Sequence, residues 1–446
     1  MESLTRRAFL RNSAAAISAT GALLNTQSLS AQPTAQSWNA LRFGVNYVPR
    51  RGWWYCWQDW NQQSIADDLK AIADLGMDHI RVQCLWPIFQ PGVNYVSSEA
   101  VDRSVMLLDA ADRAGLDVEV TVLNGWMSGL SFMPAWTQPN LPSCNIFTDK
   151  RTIAAERLLF STIASAIGSH PRFLGFDIGN ELGVLMGKDN PATPAEADQW
   201  ASDLLELCAG VAPGKFHVNG VDHQHWFTDF GFTRQNLATT GSATIVHSYA
   251  FFTGALKKFG YAGVGTAHLA EYQTELAFAY HKDPARRVWI EEVGVSREWV
   301  PEEHLLDYAD TLVRNAASTG KLWGITWWCS HDIDPAIKSF SSLEYTLGLI
   351  GLDNKPKPLG KKLAALAAEF RHLRISANNR DTALVIPDVG LKQTHTPPDW
   401  TYGDRFMKLV ADGKNPCIVC ESRTGDEDYL RSRGIRNLIP LRDVSV

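Results

Sequence analysis

Short apolar runs alternate with longer amphipathic segments from Leu41 onward. The apolar runs have strand character and are Arg42–Tyr47, His79–Cys84, Asp117–Leu123, Leu174–Ile178, Phe216–Val221, Thr244–Ser248, Val288–Glu292 and Leu322–Trp328. The amphipathic segments are Ser64–Leu75, Ala100–Ala114, Ile153–Ile167, Ala195–Ala209, Ala267–Tyr280, Glu302–Ser318 and Leu359–Leu373. In the segment that begins at Glu302, apolar residues recur at helical spacing. Eight β/α units in about 330 residues predict an α/β fold, a (β/α)8 TIM barrel over residues 38–375.

The pattern changes after Leu373, where the elements become shorter. Strand candidates are Thr382–Ile386, Cys417–Glu421 and Asn437–Leu441, and helix candidates are Arg405–Leu409 and Glu427–Ser432. The stretch Gln393–Trp400, which contains two consecutive prolines, is predicted to be a loop. Residues 380–446 therefore predict a small C-terminal α/β domain packed on the barrel, and we assign it no catalytic role.

The first 31 residues have the features of an export signal rather than of a folded element. Thr5-Arg6-Arg7-Ala8-Phe9-Leu10 matches the twin-arginine pattern, and a modest apolar segment and small residues follow it. That segment is too short to span a bilayer, and no cysteine follows it to carry a lipid. A disordered basic N-terminus is the alternative. The signal predicts a periplasmic or secreted protein.

Composition narrows the function classes further. The chain has 446 residues, 45% hydrophobic and 20% charged, with a formal charge of −6 and no basic tract, so nucleic acid is not an expected partner. Removal of residues 1–31 takes away three arginines and one glutamate, a net +2, which leaves a mature charge of −8. The seven cysteines follow no regular framework, which favours buried thiols over disulfides. The 16 tryptophans are many, and indole faces commonly pack against sugar rings.

In a TIM barrel, the chemistry lies where the strands end and the βα loops begin. In strand order, this chain places there Arg50–Tyr55, Arg81 and Trp86, Asn124–Trp126, Asn180 and Glu181, Asp222, His223 and His225, His247 and Tyr249, Glu292, and finally Trp327, Trp328 and His331. Polar and aromatic groups therefore gather on one rim. This rim is the predicted site for a sugar.

Two glutamates at strand ends carry the predicted chemistry. A buried carboxylate is costly unless it has a function, and glycosidic bond hydrolysis requires two of them. We interpret Glu181 as the acid/base, with Asn180 donating to the sugar 2-hydroxyl; a capping asparagine followed by a surface glutamate is the alternative. We interpret Glu292 as the nucleophile. Strand alternation should turn the preceding Glu291 to the opposite face, where we expect it to support the residues that contact the substrate or to make an interhelical contact.

Further residues are predicted to support this pair. Tyr249 is expected to donate to the nucleophile and Arg81 to hold its charge, although a buried ion pair with a barrel carboxylate is the alternative for Arg81. His247 is expected to be a hydrogen-bond donor at the rim, or else a neutral core histidine. Trp328 is expected to be the platform beneath the reacting sugar, with Trp327 facing the barrel wall.

The residues after the fifth strand resemble a metal site at first sight. Asp222, His223 and His225 offer suitable ligand atoms, but no helix fixes their spacing. Recognition of substrate hydroxyls by Asp222 and His223 is the favoured interpretation. We therefore expect neither a metal nor a cofactor.

These residues closely resemble the motifs of glycoside hydrolase family 5, whose members are retaining (β/α)8 enzymes. Asn180-Glu181 is similar to the acid/base motif and Glu292-Val293-Gly294 to the nucleophile motif. The resemblance extends to Arg81, to His247-Ser248-Tyr249 and to Trp328. Many members carry a histidine at the end of the third strand, where this chain has Trp126, which is expected to contact the substrate.

Sequences in the N-terminal half narrow the resemblance. Phe43–Pro49, His79–Val82 with Leu85–Pro87, and Met133–Thr137 are similar to a bacterial subfamily of exo-acting β-mannosidases. The resemblance implies a retaining exo-β-mannosidase acting on Man-β-1,4-GlcNAc of N-glycan cores, with an oligosaccharide as partner and no stable membrane association. An endo-β-1,4-mannanase or glucanase, or a β-glucosidase, on the same fold is the nearest alternative. A non-catalytic carbohydrate-binding barrel is an alternative of another class.

Overall fold

The computed structural model describes residues 40–137, 144–187, 189–373 and 380–445. The predicted export signal, residues 1–31, lies outside them. Within these ranges no helix is both long and apolar enough to cross a bilayer. All the described residues belong to one compact unit.

Seven parallel strands form the central sheet. They are Arg42–Asn46, His79–Leu85, Asp117–Asn124, Phe173–Gly179, Thr244–Ser248, Val288–Val293 and Leu322–Trp327. In the predicted eightfold numbering, the sheet order is fourth, third, second, first, eighth, seventh and sixth. The first strand pairs with both the second and the last, since Gly44 lies opposite His79 on one side and Thr326 on the other. The sheet is therefore curled, as a TIM barrel requires.

The fifth strand predicted at Phe216–Val221 is irregular. Its one ladder contact is an isolated parallel bridge between Val218 and Asp177. The backbone N–H of Phe216 nevertheless donates to the carbonyl of Leu174 at 2.7 Å. The approach is close because Gly175 lacks a side chain: a Cβ there would lie 1.8 Å from the carbonyl oxygen of Phe216. This segment continues the barrel beyond the fourth strand without forming a regular strand.

Helices cover the outside of the barrel, close to the predicted positions. The longer ones are Gln62–Asp74, Ser98–Ala114, Lys150–Ile167, Pro194–Val211, Leu269–Ala279, Leu305–Ala317 and Pro358–His372. Shorter helices occupy Trp86–Phe89, Arg234–Leu237, Ala255–Phe259 and Val264–Ala267. Side-chain caps fix several starts, as where Asp149 accepts from the backbone N–H of Thr152.

The C-terminal segment, which we call the appendage (residues 380–445), has its own three-stranded parallel sheet. Its strands are Thr382–Ile386, Pro416–Cys420 and Asn437–Pro440, the first lying between the other two, and its helices are Thr401–Ala411 and Glu427–Ser432. The appendage packs on the fully buried barrel helix Leu269–Ala279. Buried ion pairs hold this seam, since Arg380 contacts Glu271 at 2.7 Å and Arg433 contacts Glu275 at 3.1 Å.

Six of the seven cysteines are buried free thiols. Cys417 and Cys420 point to different layers of the appendage. Cys417 packs with Ala383 and Val419, whereas the thiol of Cys420 lies 3.7 Å from the carbonyl oxygen of Ala279 in the barrel. This separation is the one that strand alternation predicts for a CxxC segment.

Candidate active site

The fold brings Glu181 and Glu292 together at one end of the barrel. Glu292 lies in the seventh strand, and Glu181 follows the fourth strand in a left-handed conformation with φ 49°. This turn is held by the backbone N–H of Glu181, which donates to the carbonyl of Gly220 at 2.7 Å. A carboxylate oxygen of each glutamate and a ring nitrogen of His247 all lie within 4.8 Å of one another.

The distance between the two carboxyl groups indicates whether hydrolysis retains or inverts the configuration at the anomeric carbon. Retaining glycosidases hold their two carboxyl groups about 5–5.5 Å apart, whereas inverting enzymes leave about 6.5–9.5 Å for a water molecule. The close approach of Glu181 and Glu292, within 4.8 Å, falls on the retaining side. The distance therefore fits a retaining mechanism, in which one carboxylate attacks the sugar directly and the other acts as acid and base.

Two donors hold the Glu292 carboxylate. Arg81 donates from Nη1 to Oε1 at 2.5 Å, and the hydroxyl of Tyr249 donates to Oε2 at 3.0 Å. Burial raises the pKa of Glu292, and the nearby charges of His247 and Arg81 oppose that rise. Burial also raises the pKa of Tyr249 well above its ordinary value, so its hydroxyl keeps the proton that it donates.

His247 lies between the acid/base and the strand beneath it. Its Nδ1 contacts Oε1 of Glu181 at 2.8 Å, and its Nε2 contacts Oε2 of Glu291 at 3.0 Å. Burial lowers the pKa of His247, but the surrounding carboxylates, Glu292 first, outweigh it and raise the pKa to about 10. The raised pKa favours the charged form of His247, in which both ring nitrogens donate, over a neutral core histidine, and the ring is fully buried.

Glu291 does not face away from the site as strand alternation requires, but it makes the supporting contact that we expected, since it reaches His247 and Arg81 without lining the pocket. The seventh strand has a register irregularity here: Ile290 pairs with Val246, but the next partner of the sixth strand, His247, pairs with Glu292. Such bulges re-aim side chains near active sites. Both glutamates consequently reach Arg81 and His247, with Glu291 Oε2 lying 3.6 Å from Nη2 of Arg81.

Arg81 is the centre of a buried charge cluster beneath the pocket. Its Nη2 donates to Asp177 at 2.7 Å and to Oδ1 of Asn180 at 2.9 Å, while Glu119 lies 3.9 Å from its Nε. Burial raises the pKa of Asp177 to about 6. Burial and the charge of Glu291 raise the pKa of Glu119 well above its ordinary value. Arg81 therefore both holds the nucleophile and pairs with barrel carboxylates.

Six of the eight predicted substrate-binding residues line one pocket of about 240 Å³, whereas Arg81 and His247 are fully buried and do not line it. Its lining includes Trp126, Asn180, Glu181, Asp222, His223, Tyr249, Glu292 and Trp328. Nδ2 of Asn180 donates to the carbonyl of Trp126 at 2.8 Å, which fixes the amide. Trp328 forms part of the pocket wall, whereas Trp327 is 1% exposed and lies in the core.

Asp222 and its two histidines lie together after the fifth segment. Asp222 accepts from the backbone N–H of Gln224 at 3.0 Å and caps the short turn His223–Trp226. Nε2 of His225 lies 3.6 Å from Asp222, while its Nδ1 contacts the carbonyl of Phe230. In the described part of the chain, the acidic and histidine side chains close enough to share an ion are Glu181, His247 and Glu292, not this group.

Several pocket residues escaped the sequence analysis. Glu344 and Ser128 both line the pocket, and the Ser128 hydroxyl donates to Oε2 of Glu344 at 3.1 Å. Burial raises the pKa of Glu344 to about 7. Phe252 and Trp299 add an aromatic wall. These four residues follow the ends of the third, sixth, seventh and eighth strands, so the barrel topology offered a signal for them.

His395 also lines the pocket, although it belongs to the appendage. Its Nε2 lies 3.3 Å from Oδ2 of Asp222. The sequence analysis gave residues 380–446 no catalytic role and did not foresee that one of them would line the pocket. Nothing in the pattern of the loop Gln393–Trp400 could have placed it there.

An aromatic cluster closes one side of the rim. Trp53 packs against Trp54, Phe132 and Phe340 with ring centroids 4.6, 5.5 and 4.9 Å away. These rings come from the loops after the first, third and eighth strands. Trp54 in turn contacts Trp328 at 5.8 Å, so the cluster adjoins the predicted sugar platform.

Residues 32–332 of the chain match the model of the cellulase family, glycosyl hydrolase family 5. No curated protein matches the chain.

Solved structures extend the similarity over nearly the whole chain. A glutamate-to-alanine variant of GH5_18 from Streptomyces cattleya, in complex with Manβ1-4GlcNAc, is 36% identical with a TM-score of 0.86, covering 91% of this chain and 100% of that one. GH5_18 from Bifidobacterium longum subsp. longum is 32% identical with a TM-score of 0.84, covering 90% and 97%. A glutamate-to-alanine variant of this Bifidobacterium longum enzyme, in complex with Manβ1-4GlcNAc, is 32% identical with a TM-score of 0.84, covering 90% of this chain and 96% of that one.

Proposed function

Because this chain belongs to glycosyl hydrolase family 5, we propose that it is a retaining exo-β-mannosidase that cleaves Man-β-1,4-GlcNAc. The observation that carries the proposal is the close approach of Glu181 and Glu292 in a pocket, within 4.8 Å. The disaccharide is proposed because two of the similar GH5_18 structures contain it.

In the first half of the reaction, Glu292 attacks the anomeric carbon of mannose and the glycosidic bond breaks. The leaving oxygen takes a proton from Glu181, and a covalent mannosyl-enzyme forms. Arg81 and Tyr249 fix the attacking carboxylate through its two oxygens. His247 orients Glu181 by its 2.8 Å contact.

In the second half, water takes the place of the leaving group. Glu181, now ionised, removes a proton from this water, and the resulting oxygen attacks the anomeric carbon. The bond to Glu292 breaks and mannose leaves with its original configuration. The same acid/base pair thus serves both steps.

Exo action is supported by the closed rim. The cluster around Trp53 and the contact between Ser128 and Glu344 join the loops after the first, third and eighth strands. The pocket volume of about 240 Å³ lies just below the roughly 300–1,000 Å³ of ordinary small-molecule sites. Such a pocket suits a terminal sugar better than the middle of a polysaccharide.

The decisive experiment compares hydrolysis of aryl β-mannoside, β-glucoside and β-galactoside with that of Man-β-1,4-GlcNAc, and follows the first-formed anomer by NMR. We expect preference for β-mannosides and release of β-mannose. Preference for the glucoside, or release of the α-anomer, would contradict the proposal. Rapid cleavage inside long mannans would indicate an endo enzyme instead.

Variants assign the two carboxyl groups. Glu292→Gln should abolish turnover, and Glu181→Ala should lower the rate on the disaccharide by about 10²–10⁴-fold, the usual contribution of general acid catalysis. The loss in Glu181→Ala should be smaller with a dinitrophenyl mannoside, whose leaving group needs no proton. Glu298→Gln, an exposed position on the loop after the seventh strand, is the matched control. Full activity in Glu292→Gln would exclude it as the nucleophile.

We also propose that the protein is exported in folded form through the twin-arginine pathway to the periplasm or medium. The support is the Thr5–Leu10 motif with the apolar segment behind it. Cell fractionation of the full chain should place the activity outside the cytoplasm. The double substitution Arg6→Lys with Arg7→Lys should retain it in the cytoplasm, and unchanged export of that variant would rule the pathway out.

A further inference from the structure

We propose that the appendage builds the leaving-group side of the pocket and that His395 binds the sugar released from the glycosidic bond. This inference rests on the proposed glycosidase function and deepens it, because it assigns a binding role to residues outside the barrel.

His395 is held at the pocket wall by Asp222. Its Nε2 lies 3.3 Å from Oδ2 of Asp222, and its ring packs edge-on against Phe230 with centroids 5.4 Å apart. Its side chain is 29% exposed, whereas that of Asp222 is 2% exposed. The partly exposed imidazole therefore borders the pocket, while the carboxylate behind it fixes its orientation.

The carboxylate of Asp222 favours the charged form of His395. The hydrogen bond to Asp222 raises the pKa of His395, against a smaller effect of burial. Burial raises the pKa of Asp222, but His395 and the other nearby histidines outweigh it and hold that pKa below its usual range. With Nε2 directed at Asp222, the Nδ1–H remains available to a ligand, since none of the described residues accepts a hydrogen bond from it.

The position of His395 indicates which part of the substrate it meets. The anomeric carbon must lie over Glu292, and the glycosidic oxygen must lie at Glu181. Groups near Glu292, such as Trp328 and Glu344, therefore face the mannose. His395 lines the same pocket and is held by Asp222, which follows two residues after Gly220, the residue whose carbonyl accepts from the backbone N–H of Glu181 at 2.7 Å. His395 is therefore on the Glu181 side of the pocket, where the glycosidic oxygen and the leaving group must lie.

The appendage loop that carries His395 is fastened to the barrel. The carboxylate of Asp229 accepts from the backbone N–H groups of Gly390 and Leu391 at 2.7 and 2.8 Å. The backbone of Asp229 donates to the carbonyl of Lys392 at 2.7 Å. At the far end of the loop, the indole of Trp400 donates to the carbonyl of Thr253 at 2.8 Å. The loop is thus anchored on both sides of His395.

An aromatic surface completes this side of the pocket. Phe252 is 48% exposed, stacks on His223 with centroids 6.3 Å apart, and contacts Trp299 edge-on at 5.4 Å. Aromatic faces pack well against the C–H surface of a sugar ring. The N–H of His395 beside such a surface suits a sugar that offers an amide carbonyl or hydroxyl oxygen.

The test compares two substrates that share the mannose and differ in the leaving group. Wild type and His395→Ala are assayed on Man-β-1,4-GlcNAc and on 4-nitrophenyl β-mannoside. We expect kcat/KM of the variant to fall about tenfold or more on the disaccharide, the size expected for one lost charged hydrogen bond, mainly through KM. On the aryl mannoside it should stay within about threefold. The inhibition constant of free GlcNAc should rise in parallel.

Two further variants separate binding from folding. His395→Gln keeps a donor and should recover part of the lost affinity, while Thr394→Ala, at the exposed neighbouring position, should behave as wild type. Equal losses on both substrates, or no loss on the disaccharide, would overturn the role of His395. Failure of wild type to cleave any β-mannoside would instead overturn the proposed function, so the two failures are distinguishable.

Discussion

The hydroxyl of Tyr249 offers a sharp test of how the nucleophile is kept ionised. Tyr249→Phe removes the 3.0 Å hydrogen bond to Oε2 of Glu292 and leaves the buried ring in place. The bond from Arg81 to the other oxygen remains. The substitution therefore isolates one donor to one carboxylate oxygen.

The magnitude follows from the charge on the acceptor. A hydrogen bond to a charged group contributes about 1.5–3 kcal/mol, and one pKa unit corresponds to about 1.36 kcal/mol. The bond favours the ionised form of Glu292, so its loss should raise the pKa of Glu292 by about 1–2 units. Burial already raises that pKa, and the variant should need a still higher pH to ionise.

The assay is kcat/KM on an aryl β-mannoside across pH, whose acidic limb reports ionisation in the free enzyme. We expect this limb to move up by about 1–2 pH units in Tyr249→Phe. Tyr272→Phe is the control, because the Tyr272 hydroxyl is buried and has no hydrogen-bond partner within the described ranges. An unmoved limb, a limb displaced to lower pH, or the same shift in the control would refute the reasoning.

Three further outcomes are expected. Glu119→Gln should keep kcat/KM within about threefold, because burial and the charge of Glu291 favour the neutral form of Glu119. Glu291→Gln should lower kcat/KM more than tenfold, because Arg81 and His247 favour the charged form of that carboxylate and would lose it; equal effects would contradict this. Gly175→Ala should lower the free energy of unfolding in urea by about 1–3 kcal/mol or more, because the added Cβ would lie 1.8 Å from a carbonyl oxygen. The control Gly210→Ala should leave that free energy unchanged or raise it slightly, because its added Cβ meets nothing within 4 Å. The pKa of His247 is raised from an ordinary value near 6.5 to about 10. Protonation of His247 should therefore contribute fully to the stability of the fold below pH 6.5, and this contribution should be lost as the pH rises through 10. A melting temperature that stays flat across that interval would refute the charge on His247.

The sequence predicted the residues of the site whose positions follow from barrel topology. Glu181, Glu292 and Tyr249 lie at or near the ends of parallel strands, and such ends meet at one face of a barrel, while Arg81 lies inside the second strand beneath them. Their convergence therefore needs only the β/α alternation to be identified correctly. His247 was placed by the same rule, but its charge depends on carboxylates that only the folded structure brings around it.

Other features depend on departures from regular structure that periodicity does not contain. The irregular pairing at Ile290 and Glu292 defeats the alternation rule, so the contact of Glu291 with His247 could not be foreseen. His395 reaches the pocket through anchors such as Asp229, more than 150 positions away along the chain. No local propensity records contacts of that range.

The register irregularity in the seventh strand limits how this site could be built elsewhere. On an ideally alternating strand, adjacent side chains face opposite sides, and one of the neighbouring glutamates would point into the surrounding helices. A designer grafting these residues onto an idealised barrel would therefore need to copy the backbone defect as well as the side chains. The reverse experiment, straightening the strand here, would separate two carboxylates that now share an arginine and a histidine.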